Sequence, residues 1–270
     1  MAEPHRLAVV VGSRLERCEG KAFSVQVSYA SEATPGRGNE DYIVAGPGWV
    51  VVLDGATARP GVESGCVHDP AWLVRRLGAE IGARLVLENG APLAHLLADS
   101  IKGVRELHTG ACDLDNPDSP SSTVALLRRA GDRVQWLVLA DSPVLLDLGD
   151  EIRVIRDGRV DELPSYTDEA VRAARNSPGG FWVASTRPEA AYEALAGEIS
   201  VDRVRRAALL SDGAARLVER FGRIGWRELF DLLDQAGPRE VIRRTREAEA
   251  TETLLRGKRY DDATAVLVRF

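Results

Sequence analysis

The side chains that most often betray an active site are scarce in this sequence. Cysteine occurs three times, as Cys18, Cys66 and Cys112, so the thiols cannot all pair within one chain, and no CxxC spacing is present. A disulfide scaffold is excluded. Free thiols persist in a reducing compartment, and the chain is expected to be cytoplasmic. Histidine occurs four times without HxxxH or HxH spacing, so the sequence carries no zinc signature. Lysine is confined to Lys21, Lys102 and Lys258, and the rest of the 35 basic residues are Arg, an excess we read as genomic base composition. The net charge of −6 gives no basic total, which argues against a nucleic-acid partner. Long apolar runs are missing too. Leu7–Val11 is followed at once by Arg14, Glu16 and Arg17, too short and too charged for a signal or a membrane span. There is no P-loop, no GxSxG elbow and no GxGxxG.

What remains is an ordinary globular composition: 270 residues, 44% apolar and 28% charged. That length suits one large domain or two small ones. No break in composition marks a second, so the chain is read as a single domain over 1–270, with 1–21 as an N-terminal extension or edge segment. Alternation predicts a strand over Phe23–Ala30, and the apolar run Trp49–Leu53 predicts a buried strand meeting a turn at Asp54-Gly55. Apolar stripes predict helices over Pro70–Leu87 and Leu93–Leu107. Strands over Thr123–Arg128, Val134–Ala140 and Val144–Leu148 are expected to form a meander. Glu151–Ile155 follows, with a hairpin-type turn at Asp157-Gly158. Helices are expected over Asp168–Arg175 and Glu189–Leu195, on either side of SPGGFWVAS. The reading continues with a strand over Ala207–Leu210, helices over Trp226–Leu233 and Arg239–Leu255, and a closing strand over Thr264–Phe270. The class is α+β, with sheets stacked on one another and helices outside.

The informative pattern is where the aspartates fall. Asp54, Asp141, Asp212 and Asp261 each sit at the edge of an apolar strand, and Asp41 follows a Gly-rich turn. One such Asp is ordinarily a turn former or a helix N-cap, and Asp212 is placed to cap a helix beginning near Ala214. Five make independent caps less attractive, because a carboxylate at a buried strand end is costly unless something positive compensates it. Carboxylates and carbonyls without His or Cys favour Mg²⁺ or Mn²⁺ over zinc.

The ordered set Asn39-Glu40-Asp41, Val50–Gly55 (VVVLDG), Ser121–Thr123 (SST), Ala140–Ser142 (ADS), Leu209–Gly213 (LLSDG) and Tyr260–Thr264 (YDDAT) resembles the metal-dependent serine/threonine phosphatases of type 2C, the PPM family, in its bacterial form. The resemblance runs from about residue 22 to 270. It implies a β-sandwich of two antiparallel sheets flanked by α-helical layers, acting on phosphoserine and phosphothreonine in proteins. It implies two divalent ions, Mn²⁺ or Mg²⁺, with Asp54 bridging them, the Gly55 carbonyl on one, and Asp212 and Asp261 completing the other. Glu40 and Asp41 would hold metal-bound waters. Asp141 and Asp212 would form a third, weaker site, and Thr123 and Asp262 would stand behind the ligands.

The departures touch substrate grip rather than the ligands. The family's phosphate-binding Arg falls here on Gly36, leaving Arg37 or Arg59 to replace it, and its histidine after the DG pair falls on Ala56 or Arg59. His68 is the nearest histidine and reads as a surface or capping residue. GDSR has become ADSP, with Pro143 setting the turn. A lost general acid costs about 10²–10⁴-fold. Two alternatives therefore stand beside the protein phosphatase: a weak or inactive member that binds or scaffolds phosphoproteins, and a hydrolase of a small phosphorylated metabolite. A monomer is expected.

Overall fold

Residues 49–53 form a strand that cannot show any side chain to water. The computed structural model, which describes residues 25–56, 61–88, 90–252 and 258–270, gives the reason. In β3 (Trp49–Ala56), Val50 and Val52 point into a core between two sheets, while Val51 and Leu53 point under helices. Both faces are covered, so the run is continuous rather than alternating. Burying each of these side chains contributes about 1.5–3 kcal/mol.

One sheet has the order β2 (Asp41–Gly46), β3, β5 (Val124–Ala130), β6 (Arg133–Leu139), β9 (Leu195–Ser200), with the short β4 (Ser121–Ser122) on β3. The other has the order β1 (Gln26–Glu32), β11 (Ala263–Arg269), β10 (Arg206–Leu210), β7 (Val144–Asp147), β8 (Ile152–Ile155). Every pairing between these strands is antiparallel. Between the sheets lie Val50, Val52, Leu127, Val138, Leu209 and Val266.

Helices α1 (Pro70–Leu87) and α2 (Leu93–Glu106) cover the first sheet. Asp69 starts α1 by accepting the Trp72 amide at 2.7 Å, and Pro70 fits the first turn, where no amide is required. The stripe Leu73, Leu77, Ile81 and Leu85 is buried as the spacing predicts. Helices α4 (Asp212–Glu219), α5 (Trp226–Ala236) and α6 (Pro238–Thr251) cover the second sheet. The short α3 (Asp168–Ala174) packs with Phe181 and Val183 in a small satellite core that includes Ala140. The stretch around SPGGFWVAS is thus a packed loop, and Trp182 rests on the core beneath α1 and α2.

Several expectations are corrected. Residues 41–46 form β2, which the Gly-rich stretch before them obscured. The predicted helix over Glu189–Leu195 is a single 3-10 stretch, Pro188–Glu193, that gives way to β9 on the edge of β6. The meander breaks after β6, because β7 crosses to the other sheet. Asp157-Gly158 opens no hairpin; Asp157 is buried against Arg159 at 2.6 Å. Residues 1–21 and the start of the first predicted strand lie outside the described residues.

Candidate active site

The predicted carboxylates come from both sheets and meet at one end of the sandwich. Asp41 opens β2 directly opposite Asp54 on β3. Gly55 donates its amide to the Glu40 carbonyl at 3.1 Å, and a Cβ at Gly55 would lie 2.6 Å from that oxygen, so the close approach requires glycine. Asp212 opens α4 and donates its amide to Asp54 Oδ2 at 3.4 Å, across the boundary between the sheets. A Cβ at Gly213 would sit 1.9 Å from the Asp262 carbonyl oxygen, which locks the start of α4 to the YDDAT turn. Asp141 follows β6 at the crossing between sheets.

The electrostatics show how closely these groups share space. Burial pushes the Asp54 carboxyl well above its ordinary range, and Asp41, Asp212, Asp261 and Asp141 all push it further. Burial raises Asp41 to about 7; the hydroxyls of Thr264 and Ser211 offset this only in part. Burial and Asp212 raise Asp141 to about 7 against the opposing pull of Arg156. Asp261 is raised by burial and by Asp212 despite Lys258 and Arg216 beside it. Neither carboxylate oxygen of Asp41 has a hydrogen-bond donor at bonding geometry, although both are buried. Orphaned oxygens of that kind are strongly destabilising unless a cation or proton meets them. The donor set is all oxygen, so the residues fit a hard divalent ion such as Mg²⁺ or Mn²⁺.

The supporting groups are equally specific. Thr123 accepts the Asp54 amide at 3.3 Å through its hydroxyl, donates its own amide to the Asp54 carbonyl at 2.9 Å, and shares a 2.6 Å hydroxyl contact with Ser142. Asp262 accepts the amides of Thr34 and Glu40, each at 2.6 Å, and so pins the loop that carries Arg37. Arg37 is exposed and lines a cavity of about 560 Å³ with Glu40, Lys258, Arg259 and Asp261. A second cavity, of about 360 Å³, is lined by Asp141, Asp212 and Arg156. Arg59 lies outside the described residues. His68 lines neither cavity.

Sequence reasoning missed the cations that crowd Asp261. Arg216, itself buried, contacts Asp261 at 2.5 Å and Glu249 at 3.1 Å, and Lys258 lies 3.4 Å from the other Asp261 oxygen. It also missed what Asn39 does: its side chain accepts the Asp41 amide at 3.0 Å and donates to Ser31 at 2.8 Å. The Asn residue was legible as part of NED, but its bond to a strand eight residues away was not.

A two-sheet sandwich with helical outer layers and a carboxylate cluster at one end is the build of a metal-dependent phosphatase. Residues 31–251 match the family model for protein phosphatase 2C, and the chain belongs to that family, an enzyme class of metal-dependent serine/threonine phosphatases. Among solved structures it is similar to the PPM Ser-Thr phosphatase MsPP from Mycobacterium smegmatis in complex with cacodylate, at 18% identity and TM-score 0.58 over 92% of this chain and 99% of that one. It is also similar to the catalytic domain of the phosphatase PstP in complex with two manganese ions (19% identity, 91% and 97% coverage, TM-score 0.52). A third likeness is to Stp1 from Staphylococcus aureus (12% identity, 92% and 96% coverage, TM-score 0.60). At these identities the likeness establishes the fold. No curated protein sequence matches the chain. No helix among the described residues is long and apolar enough to cross a membrane.

Proposed function

We propose that the chain hydrolyses phosphoserine and phosphothreonine monoesters in proteins, using two divalent cations, Mn²⁺ or Mg²⁺. The observation that carries this reading is the convergence of Asp41, Asp54, Asp141, Asp212 and Asp261 on one another, with both oxygens of Asp41 buried and unmet. Asp54, the Gly55 carbonyl, Asp212 and Asp261 would hold the pair, Glu40 and Asp41 their waters, and Asp141 with Asp212 a third, weaker ion. When bound, such ions activate water near neutral pH and neutralise charge developing on the phosphoryl oxygens. No protein nucleophile is then needed, in keeping with the absence of a Ser or Cys signature. Arg37, exposed on the lining of the larger cavity, would take the substrate phosphate, and Asp262 holds its loop in position. Asp54 is set by the hydroxyl of Thr123 behind it.

One observation favours a second reading. Asp261 is already engaged by Arg216 and Lys258, cations that compete with a metal for its oxygens. Weak catalysis with retained phosphoprotein binding would follow. Hydrolysis of p-nitrophenyl phosphate and of a phosphopeptide panel, with Mn²⁺ against EDTA and wild type against Asp212→Ala, separates the two. Metal-dependent turnover abolished in Asp212→Ala supports the enzyme and its site. Wild type that binds phosphopeptide without turning it over supports the second reading. Preference for small phosphate esters over every phosphopeptide would shift the substrate class.

A further inference from the structure

The three side chains that gave no signature in the sequence, Cys66, His68 and Cys112, meet in space. Cys66 and His68 lie in the segment leading to α1, and Cys112 lies in the loop between α2 and β4. Cys66 Sγ is 3.5 Å from Cys112 Sγ, and His68 Nδ1 is 3.5 Å from each sulfur. The atoms form an equilateral triangle. The sulfurs are far beyond the roughly 2.05 Å of a disulfide. A tetrahedral zinc ion, with bonds of about 2.3 Å to sulfur and about 2.0 Å to nitrogen, sets its ligand atoms about 3.5–3.8 Å apart. The two sulfur–nitrogen edges match that requirement, and the sulfur–sulfur edge is about 0.3 Å shorter than the ion would set it.

The surroundings hold the triangle open without help from an ion. The loop of Cys66 and the loop of Cys112 are joined by Asp113 donating its amide to the Gly65 carbonyl at 2.7 Å, and by Asn116 donating its side-chain amide to the Glu63 carbonyl at 3.1 Å. Gly65 takes φ +66, a turn that glycine adopts without strain. The His68 ring stacks on Trp72 with centroids 3.8 Å apart, which fixes its plane, and His108 packs edge-on at 5.0 Å. The His68 amide donates to Cys66 Sγ at 3.4 Å, a bond that strengthens with thiolate character.

We propose that Cys66, His68 and Cys112 form a zinc site, separate in place and in donor chemistry from the carboxylate cluster. Two thiolates and a neutral imidazole balance the dication's charge. Among the described residues no fourth His, Cys, Asp or Glu joins the group, so the fourth position falls to water. The ion ties the α1 entry to the loop before β4. Asp69, three residues after Cys66, both caps α1 and lines the larger active-site cavity, so the zinc site braces one wall of that cavity.

The test is cobalt substitution of the full chain, purified under reducing conditions. Co²⁺ bound by thiolates gives a near-ultraviolet sulfur-to-metal charge-transfer band that carboxylate-bound Co²⁺ does not. The band is expected in wild type, in Cys18→Ser and in Asp54→Asn, and its loss is expected in Cys66→Ser and in Cys112→Ser. Zinc measured by mass spectrometry should be about one thiol-bound equivalent per chain. Should the Cys66 and Cys112 variants fail to fold, the Cys18→Ser protein treated with an organomercurial should release that equivalent as its two remaining thiols are modified. Absence of the band in wild type overturns the proposal. So does its survival in the Cys66→Ser, Cys112→Ser double variant. A Cys66–Cys112 disulfide that forms on oxidation, with no zinc retained by the reduced protein, overturns it as well.

Discussion

Ala140 holds φ +67, a left-handed conformation that costs an L-residue about 1–2 kcal/mol, and it immediately precedes Asp141. The strain sits where the chain leaves one sheet for the other, and Phe181 packs against the same residue. Ala140→Gly should relieve more than the entropy glycine adds to the unfolded chain, raising stability by about 0.5–1 kcal/mol in denaturant titration. A loss of stability would mean that the methyl contact with Phe181 outweighs the strain. Asp262 makes the opposite case. Its two short bonds to the Thr34 and Glu40 amides leave two donors stranded if the side chain is cut back. Asp262→Ala is expected to cost about 1–3 kcal/mol and, by loosening the Arg37 loop, to raise KM more than it lowers kcat. A fall in kcat alone would place Asp262 among the ligands instead. At this scale the aspartates were legible because carboxylates at strand ends are expensive. Arg216 was not, since nothing in a helical sequence marks which arginine turns inward.

Among the elements, α1 was legible to the residue from its apolar stripe, and the structure adds the Asp69 cap and the first-turn proline. β9 was not. Its residues LAGEIS are half exposed on a sheet edge, and the pairing with β6 that makes them a strand is a tertiary fact. The β6–β7 crossing was hidden for a related reason: a short turn reads alike whether the next strand joins the same sheet or the facing one. Helices α4 and α6 are joined through Arg216 and Glu249, both almost wholly buried, with Arg246 completing the group at 2.7 Å from Glu249. Arg216→Ala leaves Glu249 with one partner fewer and is expected to destabilise by about 3 kcal/mol in chemical denaturation. Paired with Glu249→Gln in a double-mutant cycle, the two effects should be far from additive. Additivity would show that the helices are held by their apolar faces alone.

For the whole molecule, the carboxylate cluster ties stability to pH. Asp41 and Asp141 titrate near 7 in the folded state and near 3.8 when unfolded, so the folded protein binds more protons across that interval. Stability of the metal-free protein is therefore greatest while these groups are protonated, and it declines as pH rises through the folded values. Calorimetry in EDTA should show a higher Tm at about pH 5 than at about pH 7.5. Saturating Mn²⁺ at the upper pH should raise Tm, because a ligand of the folded state alone stabilises it by about 2.7 kcal/mol at a hundredfold excess over Kd. A metal-free Tm that climbs with pH through this interval would show the carboxylates to be apart.

The first strand of the second sheet finds its partner in the last. β1 lies against β11, and the Thr34 amide reaches Asp262 across 228 positions of chain. A ribosome delivers β11 long after it delivers β1. Until then β1 has no strand beside it among the described residues, Asp261 and Asp262 are absent, and the loop of Arg37 lacks the carboxylate that holds it. A nascent chain without β11 therefore cannot gather the carboxylate cluster, however much of the other sheet has already assembled.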